Sequence, residues 1–277
     1  MTAKNVFISI DMEGIAGVSH RQQVARGSDD YPACRTLMAN EANAAIEGAF
    51  AAGAERVLVN DSHGDMRNLR PHEIDERAEL LIGGPKVPQG MTQGLDGGFD
   101  IALFLGYHAS AGTEAAIMDH TYSGAAVYEL RVNGESFGEG DLNAALAGAY
   151  GVPVGLVAGD DKFCAQMTKR LPGVRAIQVK EALGRWDSIS LHPNRACELI
   201  REGTAEVVAD CAAEPFRPEP PYVVEVDLIN AGMADVCELD GNTTRTGPRT
   251  LRFETDDIRE VVRQKTLWTV LAAVVLR

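Results

Sequence analysis

A chain of 277 residues, 45% of them apolar, can bury a core of its own, which excludes a disordered protein. Its formal net charge of −14 argues against nucleic acid and against anionic membrane surfaces, both of which call for a basic face, and leaves acidic groups for cations to neutralise. The five cysteines, Cys34, Cys164, Cys197, Cys211 and Cys237, are odd in number and widely spaced with no C-x-x-C pair, so neither a disulfide framework nor a thiolate zinc site is expected.

No basic-then-apolar leader precedes Val6, and the late apolar run Leu267 to Leu276 is far short of the roughly 20 residues that span a bilayer, so the expectation is a cytoplasmic protein.

In chain order, Val6 to Ile10 is a short apolar, β-branched run that ends in polar residues and predicts a buried strand. From Arg35 to Ala52, Leu37, Met38, Ala42, Ala45, Ile46, Ala49 and Phe50 recur at helical spacing, with Gly53 as the C-terminal cap. Arg56 to Asn60 predicts the next strand, which makes a βαβ unit, and Ile101 to Leu105 a third. Asn133-Gly134 between two extended runs signals a tight hairpin, because both residues accept positive φ. That hairpin places Glu139 at its far end, before a helix of small residues from Leu142 to Tyr150. A strand at Val154 to Ala158, a helix begun by Asp160-Asp161 and a strand at Ala176 to Lys180 follow.

From His192-Pro193 the texture changes to a helix reaching about Ala212, a proline-rich stretch over 215–221, strands at Tyr222 to Leu228 and Thr250 to Glu254, and a terminal helix begun by Thr255-Asp256-Asp257. The expected organisation is a Rossmann-like, parallel-sheet α/β domain over 1–188 that binds metal and carries the chemistry, with a smaller α+β domain over 189–277.

The chemistry gathers at strand exits. In a doubly wound fold the carboxyl ends of neighbouring parallel strands open into one crevice, so Asp11 and Glu13, Asp61-Ser62-His63 and Tyr107-His108 can converge there. If the chain is still extended at Asp11 and Glu13, both side chains point the same way, and two carboxylates held together repel unless a cation lies between them. Each histidine alone reads as a surface or hydrogen-bonded residue. Asp11, Glu13, His63 and His108 together form an imidazole and carboxylate set suited to zinc or manganese. His120, in the loop before the hairpin, reads as a ligand, a general base or a loop histidine. His20, His72 and His192 fall outside the pattern and read as structural. G-x-G-x-x-G, P-loop, G-x-S-x-G and H-E-x-x-H motifs are all absent, which narrows the field to metal-assisted hydrolysis.

On these residues the chain resembles the DppA family of D-aminopeptidases, zinc metallopeptidases whose first strand enters a Ser-x-Asp-x-Glu-Gly signature, here Ser9 to Gly14. The likeness continues in order through Val57 to His63, Leu103 to Ala109, Gly138-Glu139, Leu142 to Ala144 and Val157 to Asp161, and weakens beyond about Ser190. The resemblance implies two zinc ions held by Asp11, Glu13, His63, His108 and Glu139, with Asp11 bridging, and a catalytic role for His120 near them. It further implies hydrolysis of the N-terminal residue of short, D-amino-acid-containing peptides, and a homo-oligomeric, ring-shaped decamer.

Two other readings stand beside it. A strand ending in Asp-x-Asp opens magnesium-dependent phosphohydrolases of the haloacid-dehalogenase kind; Asp11-Met12-Glu13 departs from that motif, and His63, His108 and Glu139 are left without a role. A non-enzymatic peptide- or metal-binding protein that kept the fold is the other.

Overall fold

The computed structural model describes residues 3–276 and consists of two sheets with helices around and between them. The first strand, β1 (Asn5–Ile10), leads through the short helix α1 (Arg21–Val24) and the long α2 (Tyr31–Ala51) to β2 (Arg56–Asp61) and then to the short β3 (Glu79–Leu81). The chain next returns to the other flank of β1 as β4 (Ile101–Tyr107). The first strand sits in the middle because Val6, Phe7, Ile8 and Ile10 are all fully buried, which only a strand covered on both faces allows. Burial of each such side chain is worth about 1.5–3 kcal/mol.

The hairpin of β5 (Val127–Val132) and β6 (Glu135–Ser136) turns at Asn133-Gly134, both at positive φ as the sequence predicts. Helix α3 (Glu139–Ala149) follows, then β7 (Val154–Asp160), α4 (Asp161–Arg170), β8 (Arg175–Ala182), β9 (Ser188–Ser190) and α5 (Pro193–Ala209). The chain closes with β10 (Tyr222–Leu228), α6 (Ala231–Cys237), β11 (Thr244–Arg245), β12 (Thr250–Thr255) and α7 (Ile258–Ala273).

The larger sheet has seven strands in the order β3-β2-β1-β4-β7-β8-β9, parallel except for β9 at one edge. This is the α/β class that the alternation of strands and helices predicts. Because the chain runs outward from β1 to β3 and then jumps back to β4, the direction of winding reverses between β1 and β4, and a crevice opens beyond their carboxyl ends.

The smaller sheet is antiparallel, β11-β12-β10-β5-β6. The expected boundary between residues 188 and 189 separates neither sheet from the other. The β5–β6 hairpin, from before it, pairs with β10, and α5, from after it, packs on α2 beside the larger sheet. The alternating buried and open residues of β10 suit an antiparallel sheet with one covered face, and the hairpin pairs there.

Candidate metal centre

Three strand ends supply the first groups. Asp11 leaves β1, His63 follows β2 by two residues, and His108 follows β4 directly. The exits of β1 and β4 are pressed together: the amide of Asp11 donates to the carbonyl of Leu105, and that of Gly14 to Gly106 at 2.7 Å. Glycine is required on both sides of this contact. A Cβ on Gly14 would stand 2.0 Å from the Tyr107 carbonyl oxygen, and one on Gly106, whose φ is +65°, would stand 2.2 Å from that of Asp11. The extended alternation expected at Asp11 and Glu13 is replaced by a turn, since β1 ends at Ile10 and the amide of Ile15 donates to Met12. The turn still brings both carboxylates to one place.

His63 Nδ1 lies 3.1 Å from Asp11 Oδ1 and 2.9 Å from Glu13 Oε2. On the other side of Asp11, His108 Nε2 is 3.6 Å from Asp11 Oδ2 and 3.6 Å from Glu139 Oε1. His120 Nε2 is 3.6 Å from that same Glu139 oxygen, and its ring stacks on His108 with centres 4.1 Å apart. Asp11, Glu13 and His63 thus form one buried triad, and His108, His120 and Glu139 a second, with Asp11 facing both.

The hydrogen-bond roles at the three rings decide what can lie between them. His63 Nε2 donates to the carbonyl of Val24 at 2.9 Å, His108 Nδ1 to Ala109 at 2.9 Å and His120 Nδ1 to Met118 at 2.8 Å. A carbonyl can only accept, so in each neutral ring the remaining nitrogen is a lone pair, and all three lone pairs face carboxylate oxygens. Acceptors facing acceptors call for a cation or extra protons. His108 Nε2 is buried with no hydrogen-bond partner. A histidine anchored through one nitrogen to a carbonyl while the other faces the site is the arrangement in which protein histidines bind metal. The donor set, imidazoles with carboxylates, suits zinc.

The acid–base state without a cation shows the same frustration. Burial, and after it the charge of Glu13, pushes the Asp11 carboxyl up to about 8. Burial opposes charge on His108, but Glu139 and Asp11 prevail and carry it up to about 10. His63 is likewise held well above the ordinary histidine range by Glu13 and Asp11 in spite of its burial. His120 goes the other way, lowered by burial and by the neighbouring His108.

Behind the clustered carboxylates and histidines runs a buried polar chain that no sequence motif signals. Ser62 Oγ meets Ser9 Oγ at 2.7 Å, Ser9 meets the Tyr107 hydroxyl at 2.6 Å, Asn143 Nδ2 donates to that hydroxyl and the Tyr122 hydroxyl donates to Asn143 Oδ1. It ties together the ends of β1, β2 and β4 and the helix that carries Glu139. Glu139 opens α3, where the helix N-terminus favours a negative charge, and accepts the Tyr122 amide at 2.6 Å. Met118 and Tyr122, on either side of His120, have φ of +46° and +59°. Such values disfavour side-chain-bearing residues by about 1–2 kcal/mol, so this loop is held by its surroundings. His20 and His192 cap short and long helices respectively, His72 is exposed, and Asp160 caps α4, all as structural roles predict.

Fold and cluster together place a donor set that suits a metal ion at the switch point of an α/β sheet. The residues that the phosphohydrolase reading left idle, His63, His108 and Glu139, all stand in the cluster.

The model of a family described as D-aminopeptidase matches residues 4–266. A D-aminopeptidase of Bacillus subtilis (strain 168) is 36% identical over 269 residues, 96% of this chain and 97% of that one. The solved structure of the Zn-dependent D-aminopeptidase DppA from Bacillus subtilis, described as a self-compartmentalizing protease, superposes with a TM-score of 0.91, covering 97% of this chain and 98% of that one. The chain belongs to the D-aminopeptidase family. The family match runs through Ser190 as far as residue 266.

Proposed function

We propose that this protein is a dinuclear zinc aminopeptidase that removes the N-terminal residue from short peptides, with D-residues its preferred substrates. The observation that carries the reading is the set of three histidine lone pairs, each fixed by a backbone carbonyl behind it and turned toward buried carboxylates. Asp11 would bridge two ions, with Glu13 and His63 completing one site and His108 and Glu139 the other. Bound there, zinc supplies a Lewis acid for the scissile carbonyl and acidifies water. The buried carboxylates also give the peptide's ammonium a counter-charge. His120, whose pKa burial lowers, would keep Nε2 available to take a proton from the attacking water and return it to the leaving amine.

One feature supports a second role for His120. Its Nε2 is as close to Glu139 Oε1 as His108 Nε2 is, which is where a further ligand would stand. The two roles part in the His120→Ala variant. As a proton carrier, its loss should leave the metal content unchanged and lower kcat by about 10²- to 10⁴-fold; loss of one ion per chain would make it a ligand instead.

The test of the whole reading is metal content by mass spectrometry on protein purified without added metal. About two zinc ions per chain are expected, falling sharply in Asp11→Ala, with amino-acid release from D-alanyl peptides exceeding that from L-alanyl peptides. Protein that takes up no zinc, or takes it up equally without Asp11, would sink the assignment. Likeness to a relative described as self-compartmentalizing supports a homo-oligomer, and the decamer is its proposed form. A cytoplasmic setting agrees with five free thiols, and among the described residues no helix is long and apolar enough to cross a membrane.

A further inference from the structure

A cavity of about 550 Å³ lies beside the ligand cluster, between the loops that follow β2 and β3 and helix α7. It shares Gly64, Met66, Met91 and Tyr122 with the smaller space, about 140 Å³, that holds Asp11, Glu13, His63, His120 and Glu139, so the two adjoin. Met66, Pro85, Val87 and Val270 make much of its wall apolar.

The charged side chains on that wall are Asp65, Arg67, Lys86 and Lys265. Arg67 is paired with Asp65. Lys86 turns its ammonium onto the side-chain oxygen of Asn60 and the carbonyls of Asp61 and Leu81. Lys265 is uncommitted. It is only 6% exposed, its ammonium rests 3.6 Å from the centre of the Tyr122 ring, and among the described residues it has neither an ion-pair partner nor a hydrogen-bond acceptor. An aromatic face satisfies one side of an ammonium and leaves its other N–H groups open toward the cavity. Burial accordingly lowers its pKa to about 8, with the charge of Glu139 opposing. An anion entering the cavity would supply the missing acceptors.

We propose that Lys265 binds the C-terminal carboxylate of a short peptide whose scissile bond lies over the carboxylate and histidine cluster, which makes this cavity the subsite of the leaving residue. The inference rests on the peptidase reading above and adds a reason for short substrates. A free carboxylate is the charged group that every unmodified peptide carries on its leaving side. Each added residue moves it by roughly 3.3–3.6 Å, so a single fixed cation favours one length over the next.

The test separates binding from turnover by using metal-free wild-type protein, titrated by NMR with D-alanyl-D-alanine and with D-alanyl-D-alaninamide. The acid should bind about tenfold or more tightly than the amide, the range of a charge-assisted hydrogen bond. In Lys265→Met the acid should fall to the level of the amide, with amide binding unchanged. Equal binding of acid and amide by the wild type overturns the proposal without recourse to any variant, and an equal loss of both ligands in Lys265→Met overturns it by assigning the lysine to packing. In the zinc-loaded enzyme the same preference should appear in KM rather than in kcat. If the loaded protein cleaves neither compound while the acid–amide difference persists, the peptidase reading falls and the carboxylate site stands.

Discussion

Glu41 lies on α2 beneath the turn that carries Asp11 and Glu13, 1% exposed, with one oxygen accepting the Ala16 amide at 2.9 Å and the other without a partner. Burial raises its carboxyl to about 7, against the partial opposition of the Ala16 amide and Lys180. Below the ordinary carboxyl range it is protonated folded or unfolded, and it costs nothing. Between that range and pH 7 the unfolded chain is ionised while the folded one holds its proton, so stability declines as pH rises and the full cost is reached above pH 7. A shift from 4.5 to about 7 corresponds to about 3 kcal/mol. Glu41→Gln should therefore stabilise the protein by up to about that amount at pH 8 and change little at pH 4, measured by urea unfolding at both values. A pH-independent effect would mean that packing, not charge, governs the position. The same balance between burial and charge sets the protonation of Asp11 and His108 at the cluster itself.

At the level of elements, the turn after β1 is held from the neighbouring half of the sheet. Lys180, on β8 and fully buried, donates to the carbonyls of Glu13, Ile15 and Val18 and fixes a loop that has little regular hydrogen bonding of its own. Lys180→Met keeps the volume and removes all three bonds, leaving the Glu13 and Val18 carbonyls without this donor while Ile15 keeps the Val18 amide, at a cost of about 3 kcal/mol. Because the loop carries two of the proposed zinc ligands, zinc retention in a chelator competition should weaken along with the unfolding midpoint. A variant with lowered stability and unaltered zinc affinity would restrict Lys180 to a structural part. The loop after β2 is fixed in a comparable way: Asp61 accepts the amides of Asn68 and Leu69, and Asn68 donates to the carbonyl of His63 at 2.7 Å.

Across the whole molecule, folding gathers Asp11, Glu13 and Glu139 into one buried place, which a chain of net charge −14 sustains only with protons or metal ions to offset them. Without metal, protons fill the part: Asp11, raised to about 8, and His108, raised to about 10, both hold theirs at pH 7. Metal binding needs the carboxylate and the neutral imidazole, so it must release protons, and apparent affinity should rise as pH increases from 6 to 8. Calorimetric titration of zinc at pH 7 in two buffers of different ionisation enthalpy should report net proton release; an identical heat in both would contradict the linkage. Chelation should lower the thermal midpoint, since an ion that binds only the folded chain stabilises it by mass action.

Much of this molecule is written in local pattern. The β-branched runs of β1, β2 and β4, the helical period of α2 and the Asn133-Gly134 turn lie where the sequence predicts, because strand burial, helix periodicity and turn geometry are set by residues close together in the chain. The exits of those strands also singled out Asp11, Glu13, His63 and His108. What only the tertiary structure decided depends on contacts between distant residues. The β5–β6 hairpin joins β10 across more than 90 positions, the carbonyl that orients the His63 ring comes from Val24 at the end of α1, and Lys180 and Lys265 reach the site from β8 and α7. A buried lysine reads in the sequence like a solvated one. Its meaning comes from which oxygens surround it, and folding alone brings those together.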